Sequence, residues 1–164
     1  ETVFETNSPS MDIQIASNFE RLIYDLNDCD DNETQKVMSG IKEKGKYIIP
    51  KDKMKKIDRD FLSASINENE VLEIIKEVNR KHDVLLDPHS AIGFGALKKI
   101  NIEGNNVVLA TAHPCKFPDA IDKSIGTKPN LPDELKYIMD VKENYDIISN
   151  NLSKTKQYIK EKIQ

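Results

Sequence analysis

Cysteine is scarce and poorly placed for its usual structural tasks. The two residues, Cys29 and Cys115, stand far apart and match neither a disulfide framework nor a metal spacing, which fits a reducing cytoplasm. No Cys-x-x-Cys, His-x-x-x-His or His-Glu-x-x-His pattern occurs, so a metal site assembled from Asp87, His89, His113 and Cys115 fails on spacing and no metal is expected. No apolar run approaches the roughly 20 residues that span a bilayer. No basic region followed by an apolar one marks a signal peptide at the start of the chain. Positive charge is also thin: 24 Lys and Arg face 28 Asp and Glu, a net charge of −4, and the basic residues are scattered apart from a short Lys51–Arg59 cluster. That leaves no electrostatic footprint for nucleic acid. A cytoplasmic protein with neither membrane nor nucleic acid as partner is the expectation.

What is present suffices for one domain with a core: 164 residues, 38% of them hydrophobic. The sequence opens "ETVFETNSPSMDI", without an initiator Met or a recognisable leader, and reads as cut from a longer chain; a processed product is the alternative. In "SNFERLIYDLN", Ser17 pairs with Glu20 as a capping box, and Phe19, Leu22, Ile23 and Leu26 form a helical stripe. A second helix is expected from about Asn32 to Lys44, stopped by Gly45, and a third after Pro50. "NENEVLEIIKEVNRKHD" predicts the clearest helix, with Asn67 and Glu70 resembling a capping box and Val71, Ile74, Ile75 and Val78 on one face. His82, near its end, is explained by the favourable place of a cation there. Further helices are expected at Pro118–Gly126, after Pro132, and after Asn150 or Asn151.

"VVLA" (107–110) reads as a buried strand of the parallel-sheet type, and "YII" (47–49) and "YDIIS" (145–149) as shorter strands. The alternation predicts an α/β class, helix-rich, with a short parallel sheet. Two or three strands are few for so many helices, and the expectation is that upstream polypeptide completes the sheet.

Three polar clusters could carry chemistry. Thr111 to Lys116 follows the predicted strand, the place where open α/β sheets bind ligands. The ordinary reading is a turn in which Thr111 satisfies backbone groups and His113-Pro114 ends the strand. Asp87-Pro88-His89-Ser90 opens a helix, with Asp87 as N-cap; an anion could be drawn there, but most such pairs are plain caps. The helix so opened carries Ala91, Gly93, Gly95 and Ala96, and small side chains of this kind compensate glycine's helix cost by close approach of a neighbour. Ser17, Asn18 and Arg21 begin the first helix, where amides and a guanidinium make a phosphate or carboxylate receptor; a solvated surface Arg is the commoner case.

"SPSMDIQIASNFERLIYDL", "LLDPHSAIGFGAL" and "VVLATAHPCKFPDAI", followed by "LPDEL" and the terminal helix, occur in an order that resembles the C-terminal part of threonine synthase over nearly the whole chain. Ser90 and Cys115 stand where that family is expected to have Thr and Ala. The resemblance implies a fold-type-II enzyme dependent on pyridoxal 5′-phosphate (PLP), with residues 1–164 as a C-terminal portion of it. It implies conversion of O-phospho-L-homoserine and water to L-threonine and phosphate. Thr111 is then expected at the pyridine nitrogen, His113 near the cofactor, Ser17, Asn18, Arg21 and Lys116 at the substrate, and Asp87, His89 and Ser90 in support. The lysine that anchors PLP and the glycine-rich phosphate loop belong to the upstream part, so this portion alone is expected to be inactive. Another fold-type-II lyase such as threonine dehydratase, or a non-catalytic interaction protein of that fold, remains the alternative.

Overall fold

A computed structural model describes residues 4–13 and 15–163; Gln14, inside the first motif above, lies outside the described residues. Contacts divide the chain into two compact units, Glu1–Asn130 and Leu131–Gln164.

The first unit carries six helices among its described residues: α1 (Ser17–Leu26), α2 (Asp31–Lys44), α3 (Lys51–Asp60), α4 (Glu68–His82), α5 (Pro88–Ile100) and α6 (Pro118–Ile125). Their ends follow local chemistry. Asn67 and Glu70 form the reciprocal capping box at α4, and Asp30 caps α2 by accepting from the Glu33 N–H. Gly45 and Gly126 end α2 and α6 in the left-handed conformation that suits glycine. At α1 the expected box is absent. Ala16 is the extended N-cap, Ser17 is already helical, and no side chain caps the end.

The core lies where α4, α5 and α6 meet. Val71, Ile75, Ala91 and Ile121 are fully buried, with Ile66, Ile74, Leu85, Leu86, Ile92 and Ile125 packed around them. The small residues of α5 have a measurable cause. A Cβ on Gly95 would lie 2.5 Å from Ile74 Cδ1, and one on Gly93 would lie 3.2 Å from Val108 Cγ1. Two ion pairs bind the outer edges of α4 and α5, Lys98 to Glu77 at 2.8 Å and Lys99 to Glu70 at 2.7 Å. Separately, α1 and α2 pack together, with Ile23 and Leu26 buried. Asn27 just beyond them is buried and donates to Thr34 Oγ1 at 3.1 Å.

The parallel sheet expected from the sequence does not form. The described residues contain no strand, and 60% of them are helical. Residues 105–110 carry no regular secondary structure, and no described segment pairs with them. Val107 is 87% and Leu109 74% exposed, while Val108 between them leans on Gly93. Alternation along an extended chain explains this split, since successive side chains point to opposite faces. Residues 47–49 and 145–149 are likewise without a ladder.

The second unit consists of a 3₁₀ segment, Asp133–Asp140, and α7 (Leu152–Ile163), with Asn151 Oδ1 accepting from the Lys154 N–H at 3.1 Å. The Tyr158 hydroxyl donates to Asp146, which also pairs with Lys162 at 3.0 Å. No helix among the described residues is long and apolar enough to cross a membrane.

Candidate functional site

The first unit holds a cavity of about 710 Å³, walled by one face of α5, the extended residues 107–112, the short Pro114–Lys116 turn and the Ser10-Met11 turn. Its lining is largely apolar, including Ile92, Ala96, Leu97, Val107 and Leu109, and His89, Ser10 and Thr111 make a polar end near the start of α5; Ser63 and Lys116 line it as well. An apolar pocket with a few placed polar groups is the usual form of a small-molecule site.

The polar end is built around the start of α5. Asp87 precedes Pro88, whose fixed φ suits the first helical position, and the Asp87 carboxylate accepts from the amides of His89 (2.9 Å) and Ser90 (3.3 Å). At 1% exposure this carboxylate would be costly without partners, and it has two more. His89 Nδ1 lies 3.0 Å from it, and the Ser90 hydroxyl donates to it. On the other side of the ring, His89 Nε2 accepts from the Ser10 N–H at 3.2 Å. A backbone amide can only donate, so the proton of the imidazole sits on Nδ1, toward Asp87. Phe117 packs against the ring, centroids 4.9 Å apart. The Ser90 oxygen also accepts from the Thr111 N–H at 3.2 Å, tying the end of the extended segment to the helix. Thr111 is exposed and lines the cavity, and its hydroxyl makes no hydrogen bond among the described residues.

Four of the residues singled out in the sequence, Asp87, His89, Ser90 and Thr111, are joined by hydrogen bonds, and a fifth, Lys116, lines the same cavity. Four do not join them. His113 is exposed outside the lining, its Nδ1 accepting from the Cys115 N–H at 3.2 Å with the thiol 2.9 Å away. Ser17, Asn18 and Arg21 are exposed at the start of α1, away from the cavity walls, with Asn18 Oδ1 accepting from the Phe19 N–H at 3.0 Å. Ser10 and Phe117 were not legible as site residues. Ser10 acts through its backbone, which no side-chain pattern advertises, and Phe117 is an aromatic without a motif of its own. Among the described residues no group of His, Cys, Asp and Glu is placed to hold a metal ion.

Residues 90–159 match the family model described as threonine synthase, C-terminal. The threonine synthase of Pseudomonas aeruginosa is 34% identical over 97% of this chain and 34% of its own length, and that of Saccharomyces cerevisiae is 33% identical over 89% of this chain and 33% of its own. Among solved structures, the PLP-bound threonine synthase from Brucella melitensis superposes with a TM-score of 0.80 at 38% identity, over 98% of this chain and 35% of that one. The chain spans about a third of the length of the curated relatives it matches. It is similar to threonine synthases along nearly its whole length, and its residues 90–159 match the model of that family's C-terminal segment.

Proposed function

We propose that residues 1–164 form the C-terminal portion of a cytoplasmic threonine synthase that converts O-phospho-L-homoserine and water to L-threonine and phosphate with PLP, and that this portion alone is inactive. The observation that carries the reading is Thr111: a hydroxyl-bearing residue that follows the apolar segment and lines a cavity, with its backbone held and its side chain unengaged among the described residues. A cavity of about 710 Å³ with a largely apolar lining has room for a pyridine ring. A neutral hydroxyl is also the donor or acceptor such a ring's nitrogen can meet without taking on a full charge.

When bound, PLP supplies the electron sink for carbanion chemistry. The chain's own groups do the rest of the work assigned here. Thr111 would hold the ring by a hydrogen bond between Oγ1 and its nitrogen, a neutral partner that would bring no counter-charge to favour a pyridinium. Lys116, a cation in the cavity's lining, is assigned to an anionic group of the substrate. His89 fixes the wall by bridging Asp87 and Ser10. Arg21, the Asn18 amide nitrogen and Ser17 offer donors at the start of α1, where helix amides favour an anion such as the substrate phosphate. His113, turned onto Cys115, lies near the rim and takes no assigned step.

The test uses the complete enzyme and the isolated chain side by side. The complete enzyme should release phosphate from O-phospho-L-homoserine and not ammonia from threonine; the reverse would make it a dehydratase. The isolated chain mixed with PLP should show no stoichiometric covalent attachment by mass spectrometry. Attachment at Lys116 would overturn the division of labour proposed here.

A further inference from the structure

We propose that Asp87 and Ser90 are positioning residues for Thr111, a two-step relay that sets where the Thr111 hydroxyl stands; the inference rests on the assignment of Thr111 to the cofactor's ring nitrogen. A serine hydroxyl has one proton to give and lone pairs to accept with, and ordinarily it rotates to suit its surroundings. At Ser90 the rotation is fixed. The Asp87 carboxylate can only accept, so it takes the proton, and the Thr111 amide can only donate, so it takes a lone pair at 3.2 Å. Both Asp87 and Ser90 are buried, at 1% and 2% exposure, so water does not compete for the bond between them.

Capping does not require this arrangement. The helix start is satisfied once Asp87 accepts from the His89 and Ser90 amides. The link from Ser90 to Thr111 joins segments 21 residues apart and adds nothing to the cap. What it does is stop the extended segment at a defined register. Residues 105–110 have no strand neighbour among the described residues, so the Ser90 bond is the polar tether at their C-terminal end. With the amide held, the Thr111 side chain can leave the backbone in few directions, and one of them is the cavity.

The experiment uses the complete enzyme and four variants: Ser90→Ala, Ser90→Thr, Thr111→Val and the double Ser90→Ala/Thr111→Val. Ser90→Ala removes the hydroxyl's bonds to Asp87 and to the Thr111 amide, and the loss of Thr111's tether should lower kcat about two- to tenfold, with the KM for phosphohomoserine little changed. Ser90→Thr keeps the hydroxyl and should restore kcat, the absorption band of bound PLP and slow exchange of the Thr111 amide. Ser90→Ala should shift that band and speed that exchange. The double variant should be no slower than Thr111→Val alone, because the relay acts only through Thr111. Strictly additive losses, or a Ser90→Thr variant as impaired as Ser90→Ala, would overturn the relay. So would an unaltered cofactor spectrum in Ser90→Ala. If Ser90→Ala does not fold, Ser90→Cys replaces it, keeping size with a weaker hydrogen-bonding group and the same expected losses in smaller measure. A Thr111→Val enzyme with unchanged kinetics and spectrum is a different result: it removes Thr111 from the site, and the relay falls with it. An impaired Thr111→Val beside an unimpaired Ser90→Ala sinks the relay alone.

Discussion

His89 Nδ1 stands 3.0 Å from the carboxylate of Asp87, two residues earlier in the chain, and both side chains are withdrawn from water. The ring thereby reads two walls of the cavity at once, since its other nitrogen meets the Ser10 amide. Replacing it with phenylalanine keeps the stacking on Phe117 but leaves a buried carboxylate short of a partner and an amide without its acceptor. His89→Phe should destabilise the complete enzyme by about 1–3 kcal/mol, the usual cost of stranding buried polar groups. The midpoint of denaturant unfolding measures it. A midpoint equal to wild type would mean that Asp87 does not need the imidazole.

Thr111→Val preserves shape and removes the hydroxyl. The complete enzyme should fold normally and lose activity corresponding to about 1–3 kcal/mol, since the group it faced stays buried without its partner. Steady-state kinetics together with circular dichroism decide the matter, and equal kcat values would exclude a role for this side chain.

Arg21→Ala should act on substrate binding. A charge-assisted hydrogen bond to phosphate contributes about 1.5–3 kcal/mol, so the KM for O-phospho-L-homoserine should rise about tenfold or more while thermal stability holds. An unchanged KM with this variant would return Arg21 to the ordinary surface.

Glu77 sits between two ammonium groups, Lys81 on its own helix at 2.7 Å and Lys98 on α5 at 2.8 Å. Hydrogen bonds from Lys81 and then Lys98 hold its carboxyl well below the ordinary glutamate range of 4.5, at about 2. A carboxyl whose folded value is depressed contributes stability above its unfolded value and loses it as pH falls toward the folded one. The contribution is therefore complete above pH 4.5 and fades between there and about pH 2. Glu77→Gln should flatten that part of the stability–pH curve, an effect that salt weakens because the pair is near the surface. Parallel acid titrations of the two proteins, followed by circular dichroism, would show it; superimposable curves would count against the bridge.

Helices were legible where sequence chemistry is local. The Asn67–Glu70 box, the Asp87-Pro88 start and the Gly45 and Gly126 stops depend on neighbours within a turn, and each stands where the pattern implied. The small side chains of α5 were equally readable, because a missing Cβ signals close approach, found here against Ile74 and Val108. Ser17 misled because a capping pattern says nothing of where the preceding backbone turns extended, and Ala16 takes that place. The sheet misled for a different reason. An apolar run specifies an extended chain, but a strand exists only with a partner, and partnership is a long-range property. At the cavity, Asp87, His89 and Ser90 were visible as a cluster, whereas the Ser10 amide was hidden because backbone groups carry no residue signature.

Residues 105–110 present amides and carbonyls with no ladder among the described residues, flanked by the bare side chains of Val107 and Leu109. Such an edge is a template for whatever extended polypeptide arrives first. In isolation at high concentration, the first arrival would be the same six residues of another molecule, so the chain is prone to self-association by edge-to-edge zippering.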